Sequence, residues 1–317
     1  MSDATRIEWA DATWNPMTGC TPISEGCEHC YAERFSWRFS GSDGRCHGCP
    51  AHDIDEEYTG HHYGEATFRE VDICERGVET FEDSRCLKPW FLPAFHPDRL
   101  DKPLHWRKPR RVFVCSMSDL FHEAFTDEQV IAAFSVMRRC WNRAYEGREP
   151  HTFMLLTKRP ERMRDFCLRL RFDGGTSGRG VYLADDADAP GYPLMPHRGS
   201  TGLGNVWLGV AAENQQRANE RIPILLGTPA AKRFVSIEPM LGPVSLFGHD
   251  AYALRHALDW VILGAETGPG ARPMQPEWAL DVHRQCRAAA VPFFWKRGSK
   301  GLVYDAEMTA TREVPGE

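Results

Sequence analysis

The chain has 317 residues, 42% of them hydrophobic and 26% charged, an ordinary globular composition sized for one large domain or two modest ones. No apolar run reaches membrane-spanning length, and the polar, acidic stretch Met1 to Trp14 lacks the features of a signal peptide; a cytoplasmic protein with no membrane partner is expected. The net charge of −6 is uneven: residues 41–86 carry twelve Asp and Glu against four Lys and Arg, which leaves the remainder slightly basic and open to an anionic partner.

Eleven cysteines are many for a reducing compartment, and their odd number argues against a disulfide framework. Cys115, Cys140, Cys167 and Cys286 stand singly in apolar stretches and read as core thiols. The rest group into two sets.

The first set lies in WNPMTGCTPISEGCEHCYAER, where Cys20, Cys27 and Cys30 are spaced C-x6-C-x2-C on a loop that runs into a helix. Three close thiols with no obvious fourth partner suit a 4Fe-4S cluster with one iron left open, and Gly19 and Gly26 let the backbone wrap closely. The rival is zinc, with His29 or a distant residue as fourth ligand. The second set, Cys46, Cys49, Cys74 and Cys86, sits in the acidic insertion 41–86 as a possible second site. Zinc would staple a segment too polar to fold alone, a second iron–sulfur cluster is the alternative, and His47, His52, His61 and His62 are further ligands.

From Trp90 to Arg111, basic residues (Arg99, Lys102, Arg107, Lys108, Arg110, Arg111) alternate with Phe91, Phe95 and Trp106, a pattern open to nucleic acid through phosphate contacts and stacking. Packed aromatics beneath solvated charges explain it equally. Short continuous apolar runs then follow: Val112–Ser116, Thr152–Thr157, Val206–Val210, Phe234–Ile237, Trp260–Gly264 and Val291–Trp295. Continuity rather than alternation predicts strands covered on both faces, as in a parallel sheet. Helices are predicted at Thr126–Arg143, Pro160–Leu170, Gln215–Leu226 and Pro276–Ala290, giving an α/β barrel or a doubly wound sheet. Polar residues directly after the strands favour the barrel, where they would share one mouth. They are Met117-Ser118-Asp119, Lys158-Arg159, Glu213-Asn214, Glu238 and Glu266. Residues 171–204, with eight Gly and three Pro, read as a flexible surface insertion, and 298–317 as a C-terminal tail.

Taken together, TWNPMTGCTPISEGCEHCYAER, FHPDRLDKPLHWRKPRRVFVCSMSDLFHE, TFMLLTKRPERM, the stretch from NVWLGVAAENQQ to SIEPMLGPV, and DWVILGAETGPGARPM with VPFFWK resemble the phage- and mobile-element-associated three-cysteine-motif family, which is similar to radical SAM enzymes. The likeness covers about residues 5–40 and 87–297 and leaves out the insertion.

It implies a radical-SAM-like partial (β/α)6 TIM-type barrel. Residues 1–40 would supply a first strand near Ile7–Trp14, the cluster loop and the first helix, and 87–297 the other five strands. It further implies S-adenosylmethionine on the open iron, a reductant, and cleavage to a radical that acts on an unknown substrate, nucleic acid or nucleotide among them. A protein partner from the same mobile element is a further expectation. Ser118 and Asp119 would accept from the methionyl amine, and Tyr31 would pack near adenine. Lys158, with Arg159, would bind an anionic group, and Glu213 and Asn214 would join the cofactor site. Glu238 and Glu266 are the catalytic candidates, through sugar hydroxyls, substrate or a proton. The usual C-x3-C-x2-C spacing is C-x6-C-x2-C here, and the common Gly-Gly-Glu is replaced by Met117-Ser118-Asp119. The reading of a different class is a metal-stapled nucleic-acid-binding or interaction protein without redox catalysis.

Overall fold

The computed structural model describes residues 5, 7–39, 91–172, 180–184, 192–193 and 203–316. Its centre is a sheet of seven strands: β1 (Ala12–Trp14), β2 (Arg111–Val114), β3 (Thr152–Thr157), β4 (Val206–Ala211), β5 (Lys232–Ile237), β6 (Trp260–Gly264) and β7 (Phe293–Arg297). All neighbours pair in parallel. Their order in space is their order in sequence, and the sheet curls into a half-barrel. A doubly wound sheet reverses its strand order at a switch point; none occurs here, so the curled alternative is the one found.

The cysteine loop leads into α1 (Tyr31–Phe39), and helices cover the convex face: α2 (Asp127–Asn142), α3 (Pro160–Arg169), α4 (Gln215–Leu226), α5 (Ala251–Ala257) and α6 (Pro276–Ala289). The start of α2 shows why these boundaries fall where they do. The Thr126 side chain accepts from the Gln129 N–H while Gln129 returns a bond to the Thr126 backbone, a capping box that satisfies orphan donors. Asn214 caps α4 through the Arg217 N–H.

Side chains alternate between two cores, as the pleat requires. Val112, Val114, Phe153, Leu155, Leu208, Val235, Val261 and Phe293 pack outward with the helices. Trp9, Phe113, Met154, Trp207, Phe234, Trp260, Ile262 and Phe294 fill the concave side. The inner filling is bulkiest towards the strand starts, where the Trp260 ring meets Trp9, Trp207 and Phe294 edge-on. Higher up it is lined by small residues, Ala211 and Ser236, which pair with each other, Ser236 also pairing with Ile262. The half-barrel is thus plugged at its base and widens towards the ends of its strands.

Two expectations are corrected. The sheet has seven strands rather than six, because the VPFFW run supplies β7, and the first strand is only Ala12–Trp14. Part of the Gly/Pro-rich stretch is built structure: Leu170–Phe172 pairs antiparallel with Val181–Leu183 and Tyr192–Pro193, and Phe172, Val181 and Leu203 enter the outer core. The C-terminal tail packs against the sheet. A bridge joins Arg312 to Phe294, Val314 enters the inner core, and Arg312 and Arg297 both reach Glu8, closing the base between β7 and the N-terminal segment. The insertion 41–86, with Cys46, Cys49, Cys74 and Cys86, lies outside the described residues. No helix among the described residues is long and apolar enough to cross a membrane.

Candidate functional site

Residues 15–30 run from the end of β1 across the mouth of the half-barrel and are tied down at almost every step. Asn15 Oδ1 accepts from the Met117 N–H at 3.2 Å and from Ser116 Oγ at 3.2 Å. Met17–Thr18 pairs with Ala94–Phe95, and Gly19 bridges to Ser118. Ser118 Oγ donates to the Gly19 carbonyl at 2.5 Å, so this hydroxyl holds the loop. Gly19 has φ +79°, and a Cβ there would overlap the Leu92 carbonyl, which leaves glycine as the residue that fits. The Cys20 N–H then donates to the Phe91 carbonyl at 3.0 Å.

Beyond Cys20 the chain meets β3. Arg159 spends its guanidinium on this meeting: Nη1 donates to Cys20 Sγ at 3.5 Å, Nη2 to the Thr21 carbonyl at 3.2 Å and hydroxyl at 3.1 Å, and Nε to Glu123 at 2.8 Å. Asp119, expected as a cofactor contact, is buried beneath it. Its carboxylate accepts from Thr157 Oγ1 at 2.8 and 2.9 Å, from the N–H groups of Phe121 and Lys158 at 3.0 Å each, and from Arg159 Nη1 at 3.5 Å. Buried His122, its pKa lowered to about 4 by burial and then by Arg159, faces the Thr21 N–H with Nε2 at 3.1 Å.

Just past β4, Glu213 is fully buried. One oxygen accepts from Ser24 Oγ, the other from Arg221 at 2.7 Å, and Lys158 Nζ stands 4.0 Å away. Asn214 donates to Glu25, which also receives Arg217 Nη2 at 3.0 Å. Burial alone would raise the Glu25 carboxyl; Arg217 and Asn214 outweigh it and hold the carboxyl down to about 2.

After β6, Glu266 binds His29 Nδ1 at 2.9 Å, the Arg272 N–H at 2.8 Å and Arg272 Nη2 at 2.5 Å. Arg272 continues to Glu28 at 2.7 Å and to the Glu25 carbonyl at 2.8 Å. Here too burial opposes ionisation, and Arg272 with His29 holds the Glu266 carboxyl down to about 2. Glu266, expected to be catalytic, is enclosed by the groups that fix the Cys27–Cys30 turn.

Glu238 stands apart from these clamps and pairs with Lys296 Nζ at 2.6 Å. Tyr31 opens α1 and donates to the Ser116 carbonyl. Half of its surface is open, and burial of the hydroxyl, then Cys30 and Glu238, push its pKa up.

All of the expected site residues in the described region therefore gather at one mouth, but most are engaged in holding the cysteine loop. Ser24, Glu25, Arg217, Arg221 and Arg272 were not expected there, nor was Arg34, whose guanidinium donates to the His29 and Thr267 carbonyls. Each meets its partner from far along the chain or has an ordinary surface sequence context, so spacing carries no signal for it. Basic Arg107 and Lys108 precede β2 at the opposite end of the half-barrel, and Trp106 and Phe91 are buried, so these two rings are not stacking platforms.

The thiols divide sharply. Cys115, Cys140, Cys167 and Cys286 are buried in the core, whereas Cys20, Cys27 and Cys30 are half-buried at the mouth, and all seven are free thiols. Burial, then Asp119, push Cys20 up to about 12 against the pull of Arg159. Among the described residues, no group of three or more His, Cys, Asp and Glu is placed to hold a single metal ion. In an iron–sulfur cube each thiolate binds a different iron, so its ligands need not converge on one point. Three half-buried thiols on one loop, one of them in contact with Arg159, are a donor set of the right softness for such a cluster.

A family model described as a protein of unknown function (DUF5131) matches residues 4–314. No curated protein and no solved structure matches the chain. The match runs through every strand of the half-barrel and through the cysteine loop, and the chain belongs to the DUF5131 family.

Proposed function

We propose that Cys20, Cys27 and Cys30 hold a 4Fe-4S cluster at the mouth of the half-barrel, and that the protein is a radical-SAM-like enzyme built on a partial TIM-type barrel. The observation that carries this reading is the contrast among the cysteines. Four are buried in the core, and three lie half-buried on one loop at the mouth, braced from the ends of β2, β3, β4 and β6, with Arg159 Nη1 3.5 Å from Cys20 Sγ. The cluster, when bound, would supply an electron for the cleavage of S-adenosylmethionine. The chain's own part is to hold the loop, through Glu213, Asp119 and Glu266, and to present Tyr31, Lys158, Glu238 and Lys296 at the mouth. An anionic or zwitterionic ligand meets charges of both signs there. A zinc ion would need ligands drawn to a single point, which the described residues do not provide.

The test is anaerobic reconstitution with iron and sulfide, followed by electron paramagnetic resonance of the reduced protein before and after adding S-adenosylmethionine. A cluster signal that changes on addition supports the reading. A colourless protein that takes up only zinc removes it, and a cluster signal indifferent to S-adenosylmethionine keeps the iron–sulfur part alone.

A further inference from the structure

We infer that a cavity at the base of the half-barrel, between the C-terminal half of α6, the start of β7 and the C-terminal segment, is a binding site for a small organic cation with a flat or apolar body. It encloses about 670 Å³, within the range of cavities that hold small molecules. The cysteine loop lies at the other end of the strands, so the inference stands apart from the cluster reading above.

His283 lines this cavity and is only 4% exposed. Its ring stands 5.0 Å from that of Phe293, and among the described residues neither ring nitrogen has a hydrogen-bond partner. Buried polar groups are ordinarily satisfied, so an imidazole left open on a cavity wall points to a ligand. Burial, then Arg287, hold its pKa below the usual range. The ring is therefore uncharged near neutral pH, with one nitrogen to donate and one to accept.

The charges on the walls decide the kind of ligand. Arg287 is paired with Glu307. The Arg312 guanidinium lies over the Phe294 ring, 3.5 Å from Glu8, and donates to the Thr309 and Thr311 carbonyls at 2.7 and 3.1 Å. Both arginines are thus engaged. Glu313 has no counter-charge among the described residues: one carboxylate oxygen accepts from the Phe293 N–H at 3.0 Å, and the other has no partner there. The unengaged charge is therefore negative. A carboxylate or phosphate would have to displace an existing pairing, whereas an amine or amidine would find the Glu313 carboxylate and the accepting nitrogen of His283. Val291, Phe293 and Val314 are buried along the same wall and suit a ring or a short alkyl chain.

The experiment is isothermal titration calorimetry of the full chain with benzamidine, a planar aromatic cation, and with benzoate, its counterpart of opposite charge. Benzamidine is expected to bind saturably at one site, and benzoate not to bind. Glu313→Gln keeps an acceptor for the Phe293 N–H, and His283→Phe keeps the ring contact. Each is expected to weaken benzamidine binding by about tenfold or more. Arg287→Gln is expected not to weaken it. Circular dichroism checks that each variant is folded, and Glu313 is exposed, so its variant decides should His283→Phe fail to fold. Benzoate binding as tightly as benzamidine, no saturable binding of benzamidine, or full affinity in Glu313→Gln overturns the inference. None of these outcomes depends on iron, so the failure of the cluster reading and the failure of this one are separate results.

Discussion

Gly26 lies directly against the side chain of Glu213: a Cβ at position 26 would overlap Glu213 Cγ and come within 2.5 Å of its Oε1. Glu213 cannot easily yield, because Arg221 and Ser24 hold its two oxygens. The glycine one residue before Cys27 thus lets the cysteine loop rest on the end of β4. Gly26→Ala should destabilise the fold by about 1–3 kcal/mol, the range for overpacking, and should lower iron retention. Chemical unfolding and metal analysis check both.

Asp119 is a holding residue in this structure. Its carboxylate gathers Thr157, two backbone N–H groups and Arg159. Asp119→Asn leaves Arg159 with less compensation in a buried place and should cost on the order of 2 kcal/mol. Unchanged stability together with lost ligand binding would return Asp119 to the role of direct cofactor contact.

Glu266 links the site to pH. Its folded carboxyl lies at about 2 against an ordinary value of 4.5, a lowered pKa. The resulting stability is fully present above 4.5 and is lost as the pH falls towards 2; Glu25 titrates in the same direction. Glu266→Gln should therefore be less stable than wild type near neutrality, by up to about 3 kcal/mol. The difference should shrink across that acid window. Urea unfolding at neutral pH and at about pH 3 measures it.

Gly209 sits where β4 passes Phe234, whose ring a Cβ would approach to 2.5 Å. Gly209→Ala should lower stability by about 1–3 kcal/mol through the inner core. Far from the mouth, it should leave iron content per folded chain unchanged.

Much of the fold was legible because both-face burial writes itself as continuous apolar runs: TFMLLT and WVILG are strands from end to end, and each run expected as a strand contains one. The count of six came from the family resemblance, whereas the local pattern had already marked the VPFFW run that supplies β7. The stretch 171–204 looked structureless because Gly and Pro dominate it, yet Leu170, Phe172 and Val181 found an apolar surface to cover. At the site, residue types and spacing exposed the three cysteines. They could not tell a group that meets a ligand from one that braces a loop. That distinction lies in pairings such as Glu266 with His29 and Asn214 with Glu25, which join residues more than a hundred positions apart.

The most direct test of the cluster assignment is iron and acid-labile sulfide in anaerobically reconstituted wild type beside Cys20→Ala, Cys27→Ala and Cys30→Ala, with Cys286→Ala as the core control. Iron and sulfide in equal amounts in wild type and the control, falling sharply in each of the three loop variants, is the expected result. Iron that persists in all three loop variants, or a wild type that holds zinc and no sulfide, would contradict the assignment.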